Sequence, residues 1–213
     1  MKRAFRTILF DWDGTLLDSF PAGYHASVTV LRRFGIELDR KLFLETYSPN
    51  WYESYRLLGI PESEWDTADQ LWRETYHGQR SELFHFATET LERLKASGMH
   101  LGLVTSGNRD RVLREIDRFG LEGIFSAVVC FEDTLEKKPH PAPLERALER
   151  LSAEPATAVY VGDRPEDIVM GRRVGAFTIG VESQYGPREI LEQSAPDLLV
   201  PDVSHVPGKL VLP

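Results

Sequence analysis

Five short apolar runs constrain this chain more than any other feature: Thr7–Phe10, Leu101–Thr105, Ala127–Phe131, Ala158–Val161 and Phe177–Val181. Each has the length of a core strand and is rich in branched or aromatic side chains. The runs are continuous rather than alternating, which suits strands covered on both faces. Helical spacing fills the gaps between the last four. Val112, Ile116 and Phe119 share one face before Gly120; Leu144, Leu148 and Leu151 recur within Pro143–Leu151; Ile168–Val174 stops at Gly175. Strands separated by single helices need crossover connections, and these make neighbouring strands parallel. The expected fold class is α/β, a doubly wound parallel sheet.

The stretch from about Phe20 to Phe86 breaks that rhythm. It contains every tryptophan except Trp12 and reads as helices closing near Gly35 and Gly59, with a third over Trp65–Tyr76. It is either the helical half of one domain or a small helical domain inserted after the first strand. What flanks it favours the insertion, with residues 1–16 and 87–213 forming the sheet domain and 17–86 the inserted one. A chain of 213 residues can bury a core of that size beside a smaller unit.

Charge and cysteine usage narrow the function. A formal net charge of −8 argues against non-specific nucleic-acid binding and against docking on anionic membrane. The expected partner is a small anion captured by a focused pocket. Cys130 is the only cysteine, so no intrachain disulfide forms, and no apolar run approaches membrane-spanning length. A cytoplasmic protein is expected.

Four segments carry candidate chemistry, each at or just after the C-terminal end of an expected strand, where open α/β sheets place ligands. In Phe10-Asp11-Trp12-Asp13-Gly14-Thr15-Leu16-Leu17-Asp18-Ser19, two carboxylates one residue apart can meet a hard cation. One can attack phosphorus while the other handles a proton. In Leu103-Val104-Thr105-Ser106-Gly107-Asn108, a hydroxyl at a strand end either holds a phosphate oxygen or caps the next helix. Lys137-Lys138-Pro139-His140-Pro141-Ala142-Pro143 holds a lysine in front of a stiff, proline-rich approach to a helix; it can present its ammonium to an anion or simply be solvated. In Tyr160-Val161-Gly162-Asp163-Arg164-Pro165-Glu166-Asp167, Asp163 can complete a metal site with Asp11 and Asp13. Asp167 contributes through water or holds Lys138, unless the acidic pair only favours a helix start. Together these segments supply every charge that phosphoryl transfer requires.

That order of motifs resembles the haloacid dehalogenase-like hydrolase superfamily, in its phosphoglycolate phosphatase-like branch, over nearly the whole chain from Ile8 to Val200. FDWDGTLLDS is the most specific match; KPHPAP and YVGDRPEDI are less so, and LVTSGN has meaning only beside the others. The resemblance implies a Rossmann-like core with a C1-type helical cap, and a Mg²⁺-dependent phosphomonoester hydrolase acting through an aspartyl-phosphate on a small phosphorylated metabolite such as phosphoglycolate. It implies Asp11 as nucleophile and Asp13 as general acid/base. The metal falls to the Asp11 carboxylate, the Asp13 backbone carbonyl and the Asp163 carboxylate. Thr105 and the Ser106 backbone bind the phosphoryl group, Lys138 bridges it to the nucleophile, and Asp167 is a secondary acidic residue. Two departures stand out. Arg164-Pro165 replaces a small hydroxyl residue common in relatives, and Trp12 is bulky where only a backbone N–H is needed.

Other activities fit less well. A β-phosphoglucomutase-like mutase shares these core residues but presents a cationic cap residue, and the corresponding loop Tyr47-Ser48-Pro49-Asn50-Trp51 has none; Arg56 is the nearest substitute. A dehalogenase has no use for Asp13. A phosphonatase needs a cap lysine, for which Lys41 offers only a surface-like setting. A non-catalytic phosphate-sensing module would be expected to lack one of the charges. Within the expected cap, Asn50 and Trp51 are the candidates for substrate choice; His140, beside Lys138 in sequence, is either a surface residue or one that reaches the pocket.

Overall fold

The computed structural model describes residues 5–210, so the first four and last three residues of the expected sheet domain lie outside it. The chain divides into two compact units, residues 1–18 with 83–213 and residues 19–82.

The first unit is built on β1 (Thr7–Phe10), β4 (His100–Val104), β5 (Ala127–Val129), β6 (Ala158–Gly162), β7 (Phe177–Val181) and β8 (Leu198–Val200). They form one six-stranded sheet in the order β5-β4-β1-β6-β7-β8, with every described pairing parallel. Two short strands, β2 (Leu17–Asp18) and β3 (Glu82–Leu83), pair in a separate ribbon. Helices α5 (Ala87–Ala96), α6 (Arg109–Arg118), α7 (Ala142–Leu151), α8 (Pro165–Val174) and α9 (Arg188–Gln193) complete the unit.

Alternating side chains explain why both sheet faces are apolar. Ile8 and Phe10 join Leu101, Leu103, Val159 and Val161 in one buried layer, against Leu91 and Leu94 of α5 and Val112 and Ile116 of α6. Leu9 joins Val104, Val129 and Tyr160 on the other face, under Leu144, Ala147 and Leu148 of α7 and Met170 of α8. Helices therefore cover both faces, the doubly wound arrangement that the continuous apolar runs imply.

The differences from expectation are local. β4 stops at Val104, which leaves Thr105 beyond the strand, and β5 stops at Val129 because Phe131–Asp133 turns into a 3-10 segment. The edge strand β8 was not anticipated from its pattern, since it has three residues and two of them are only half-buried.

The second unit is helical: α1 (Phe20–Arg33), α2 (Arg40–Thr46), α3 (Trp51–Leu57) and α4 (Trp65–His77). Ala22 and Ala26 of α1 let Tyr76 of α4 approach closely, and Trp72 packs against the same cluster with its indole N–H donating to Ser27 Oγ at 3.1 Å. The short helix α2 starts where Asp39 accepts the Leu42 amide at 2.7 Å. None of the described helices is long and apolar enough to cross a membrane.

Candidate active site

Strand register places the site. Phe10 pairs with Leu103 on one side and Val161 on the other, so the chain leaves β1, β4 and β6 at one edge of the sheet. The Asp11 amide continues the ladder to the Val161 carbonyl at 2.8 Å, and the Thr105 amide reaches the Val129 carbonyl at 2.9 Å. Asp11, Thr105 and Asp163 thus emerge beside one another where the sheet order reverses around β1. The turn after Asp11 depends on Gly14. Its φ is +81°, and a β-carbon there would sit 2.4 Å from the Asp163 carboxylate.

Lys138 ties the carboxylates together. Its ammonium donates to Asp11 Oδ1 at 2.6 Å and to Asp167 Oδ1 at 2.8 Å, and all three side chains are buried. Asp167 also accepts from the Tyr160 hydroxyl at 3.2 Å and the Arg164 amide at 3.1 Å. Lys137 turns the other way and donates to the carbonyls of Phe131 and Thr134. The two adjacent lysines are therefore not a solvated pair: one braces its own loop and the other enters the site.

Asp11, Asp163 and Asp167 can each direct one oxygen to within 4.8 Å of the others. With all groups ionised, three carboxylates face one ammonium and two negative charges are left over. Burial pushes the Asp11 carboxyl well above the usual carboxylate range; Lys138 pulls it back, while Asp167 and Asp163 push it up again. Burial, reinforced by the Asp167 charge, raises Asp163 to about 7. Burial works to lower the Lys138 ammonium, but Asp11 and Asp167 outweigh it and hold it well above its ordinary value. Burial is the main cause for the two carboxyls, and an excess of buried negative charge adds to it and holds the Lys138 proton. The donors are carboxylate oxygens, a set that suits a hard divalent cation, which would remove the excess.

Hydroxyl groups hold Asp163 in place. Thr15 donates to its Oδ1 at 3.3 Å and Ser183 to its Oδ2 at 2.6 Å. The small hydroxyl residue missing at position 164 is thus answered from two other segments. Ser183 went unnoticed in the sequence, although it follows β7 as the motif residues follow their strands. On the phosphate-binding side, Thr105 Oγ1 accepts the Gly107 amide at 2.9 Å, which leaves its hydroxyl proton to donate outward. Ser106 is half-buried beside it.

Asp13 lies outside the carboxylate cluster. Its side chain meets Arg111, with Nη1 at 2.9 Å from Oδ1 and Nη2 at 2.5 Å from Oδ2. Arg111 and Glu115 are not singled out by the sequence, where they are only a charged pair four residues apart, each next to an apolar residue of α6. Trp12 also does more than expected of it. Its indole is fully buried and donates to Glu115 Oε2 at 2.7 Å.

The remaining candidates make none of these contacts. His140 is exposed and its Nδ1 accepts the Ala142 amide at 3.2 Å, a local turn contact. Arg56, Asn50 and Trp51 belong to the helical unit. Arg56 is exposed and paired with Glu53 at 2.6 Å, while Asn50 and Trp51 open α3.

A family model for haloacid dehalogenase-like hydrolases matches residues 8–181, a span that includes Asp11, Asp13, Thr105, Lys138, Asp163 and Asp167 and ends just before Ser183. The chain belongs to that family. Membership together with its relatives makes it an enzyme of the phosphatase type. It is similar to pyrophosphatase PpaX of Bacillus velezensis, with 31% identity over 208 residues covering 94% of this chain and 95% of that protein. Among solved structures it resembles a predicted phosphoglycolate phosphatase from Haemophilus somnus 129PT, with a TM-score of 0.84, 25% identity, and coverage of 96% and 97% of the two chains. A hydrolase from Pseudomonas syringae has the same fold, with a TM-score of 0.87 at 20% identity and coverage of 96% and 99%.

Proposed function

We propose that this family member is a Mg²⁺-dependent phosphatase that transfers the phosphoryl group of a small phosphorylated metabolite to Asp11 and then to water. The observation that supports this most is Lys138, a buried ammonium bridging Asp11 and Asp167 beside a third carboxylate. An ammonium in that position offsets the charge on a carboxylate nucleophile and on an approaching phosphate, which would otherwise repel each other.

In this reading Asp11 attacks phosphorus in line and expels the leaving oxygen, forming an aspartyl-phosphate. Thr105 and the Ser106 backbone hold the phosphoryl oxygens as the charge on them redistributes. Asp13 gives a proton to the leaving oxygen and then takes one from the water that opens the intermediate, a role that typically contributes about 10²–10⁴-fold. Asp11, Asp163 and the Asp13 carbonyl would hold Mg²⁺, with Asp167 beside them. When bound, the ion supplies charge neutralisation at the carboxylate and phosphoryl oxygens. Thr15 and Ser183 keep Asp163 oriented for that purpose. The helical unit is proposed to act as the cap that selects the leaving group, with Asn50 and Trp51 in its specificity loop.

Two substrate classes have specific support. Likeness to the Haemophilus protein favours a phosphomonoester such as phosphoglycolate, and likeness to PpaX favours pyrophosphate. A screen of both, with Mg²⁺ and with EDTA, tests the reading. Turnover that requires Mg²⁺ is expected for one class, and Asp11→Asn should reduce it by about 10³-fold or more. Wild-type-like turnover by Asp11→Asn would overturn the mechanism.

A further inference from the structure

We propose that Arg111 is a positioning residue that fixes the Asp13 carboxylate for proton transfer, and that Glu115 and the Trp12 indole hold Arg111 in turn. The inference rests on the proposed phosphatase mechanism and adds to it the device that aims its acid/base.

The geometry forms a closed ring. Arg111 grips both Asp13 oxygens, at 2.9 and 2.5 Å. Its Nη1 also lies 3.4 and 3.2 Å from the two Glu115 oxygens. Glu115 accepts the Trp12 indole N–H at 2.7 Å, and Trp12 is the chain neighbour of Asp13. A two-pronged guanidinium contact fixes the plane of a carboxylate, which a point charge does not. A carboxylate has about four lone-pair sites, so two remain, enough to carry the proton passed to the leaving oxygen and then to accept one from water.

Local preference does not account for this arrangement. Arg111 stands in the first turn of α6, where the helix dipole disfavours a cation. Its partner Glu115 follows it by four residues, the less favourable order for such a pair. Both residues are nonetheless buried, at 9% and 7% exposure. Gly107, next to the phosphate-binding Thr105-Ser106 pair, makes room for the fork: a β-carbon there would stand 2.3 Å from Arg111 Nη2. A helix placed its arginine against its own dipole and buried it, and the contact it gains is Asp13.

The test exploits leaving groups. An aryl ester such as p-nitrophenyl phosphate releases a stabilised anion that needs little help from an acid, whereas an alkyl ester must be protonated as it leaves. With holoenzyme in Mg²⁺, Arg111→Gln should lower kcat/KM for an alkyl phosphate about 10²-fold while p-nitrophenyl phosphate loses less than about fivefold. Inhibition by inorganic phosphate should stay within about threefold of wild type, since the phosphate site is untouched. Arg111→Lys keeps the charge without the fork and should show the same skew, as should Glu115→Gln more weakly. In an Asp13→Asn background, Arg111→Gln should add nothing to the alkyl defect. An equal loss on both esters, a further loss in the Asp13→Asn background, or weakened phosphate inhibition would overturn the proposal. Should Arg111→Gln fail to fold, Arg111→Lys and Glu115→Gln decide it by the same ester ratio. Activity surviving in Asp11→Asn sinks the phosphatase mechanism and this inference together; an inactive Asp11→Asn beside an unchanged ester ratio in the Arg111 variants sinks this inference alone.

Discussion

The sheet unit and the helical unit treat ionisable side chains in opposite ways. The sheet unit buries Asp11, Arg111, Glu115, Lys138, Asp163 and Asp167. In the helical unit the buried polar side chains among the described residues are Ser19 and Ser81, besides tyrosines. Of its described ion pairs, Lys41 with Glu45 and Arg56 with Glu53 stay exposed, and Arg73 with Asp69 is half-buried at the Asp69 end alone. Taking a charge out of water costs several kcal/mol, and a buried pair seldom returns more than an apolar one would. Six such groups gathered at one edge of a sheet are therefore poorly explained by stability. They make sense as a pre-assembled charge pattern held ready for an anion and a cation.

The sharpest way to break that contrast is to remove the shared cation. Lys138→Met leaves Asp11 and Asp167 buried without their ammonium, and breaking a buried pair in this way costs about 3–5 kcal/mol. Urea unfolding of the metal-free variant near neutral pH should show a loss of that size together with loss of turnover. A loss below about 1 kcal/mol, the scale of a surface pair, would mean that the core site is no more demanding than the helical surface.

A smaller effect should appear as pH dependence. Metal-free Asp163 is raised to about 7 from an ordinary 3.8, so the folded state keeps a proton that the unfolded chain has already released. The folded form binds more protons across that window, so this group's contribution is complete below the unfolded value and declines as pH rises toward about 7. In EDTA, the wild-type Tm should accordingly fall relative to Asp163→Asn over that range. Mg²⁺ binds the ionised form, so it should raise Tm more at about pH 8 than at about pH 5. A constant Tm difference between the two proteins would show that Asp163 titrates as an ordinary carboxyl.

The same contrast explains what could be read from the sequence. Apolar runs record burial, so the strands flanking the site were legible, and the motif residues follow them. Asp11, Lys138, Asp163 and Asp167 could be named because each stands next to a strong strand or a proline-stiffened turn. Arg111, Glu115 and Ser183 could not, because their meaning arises from contacts with residues 98, 103 and 20 positions away. A charged pair on a helix ordinarily signals solvent, and only the packing of α6 against the sheet reveals that this one faces inward. Edge strand β8 escaped for a related reason: its half-buried residues leave a weak apolar signature.

The smallest expected effects lie in the helical unit, and they test the other side of the contrast. Asn50 precedes α3, does not cap it with its side chain, and its Oδ1 is buried without a hydrogen-bond partner among the described residues. An unsatisfied buried acceptor costs about 1–3 kcal/mol, so Asn50→Ala should leave stability unchanged or raise it by about 1 kcal/mol. In the proposed function this acceptor serves substrate choice rather than folding. The ranking of phosphoglycolate, pyrophosphate and a sugar phosphate should therefore shift in Asn50→Ala while its urea midpoint holds. If the ranking stays fixed and the midpoint falls, Asn50 serves packing alone, and the helical unit then depends on buried polar groups as the sheet unit does.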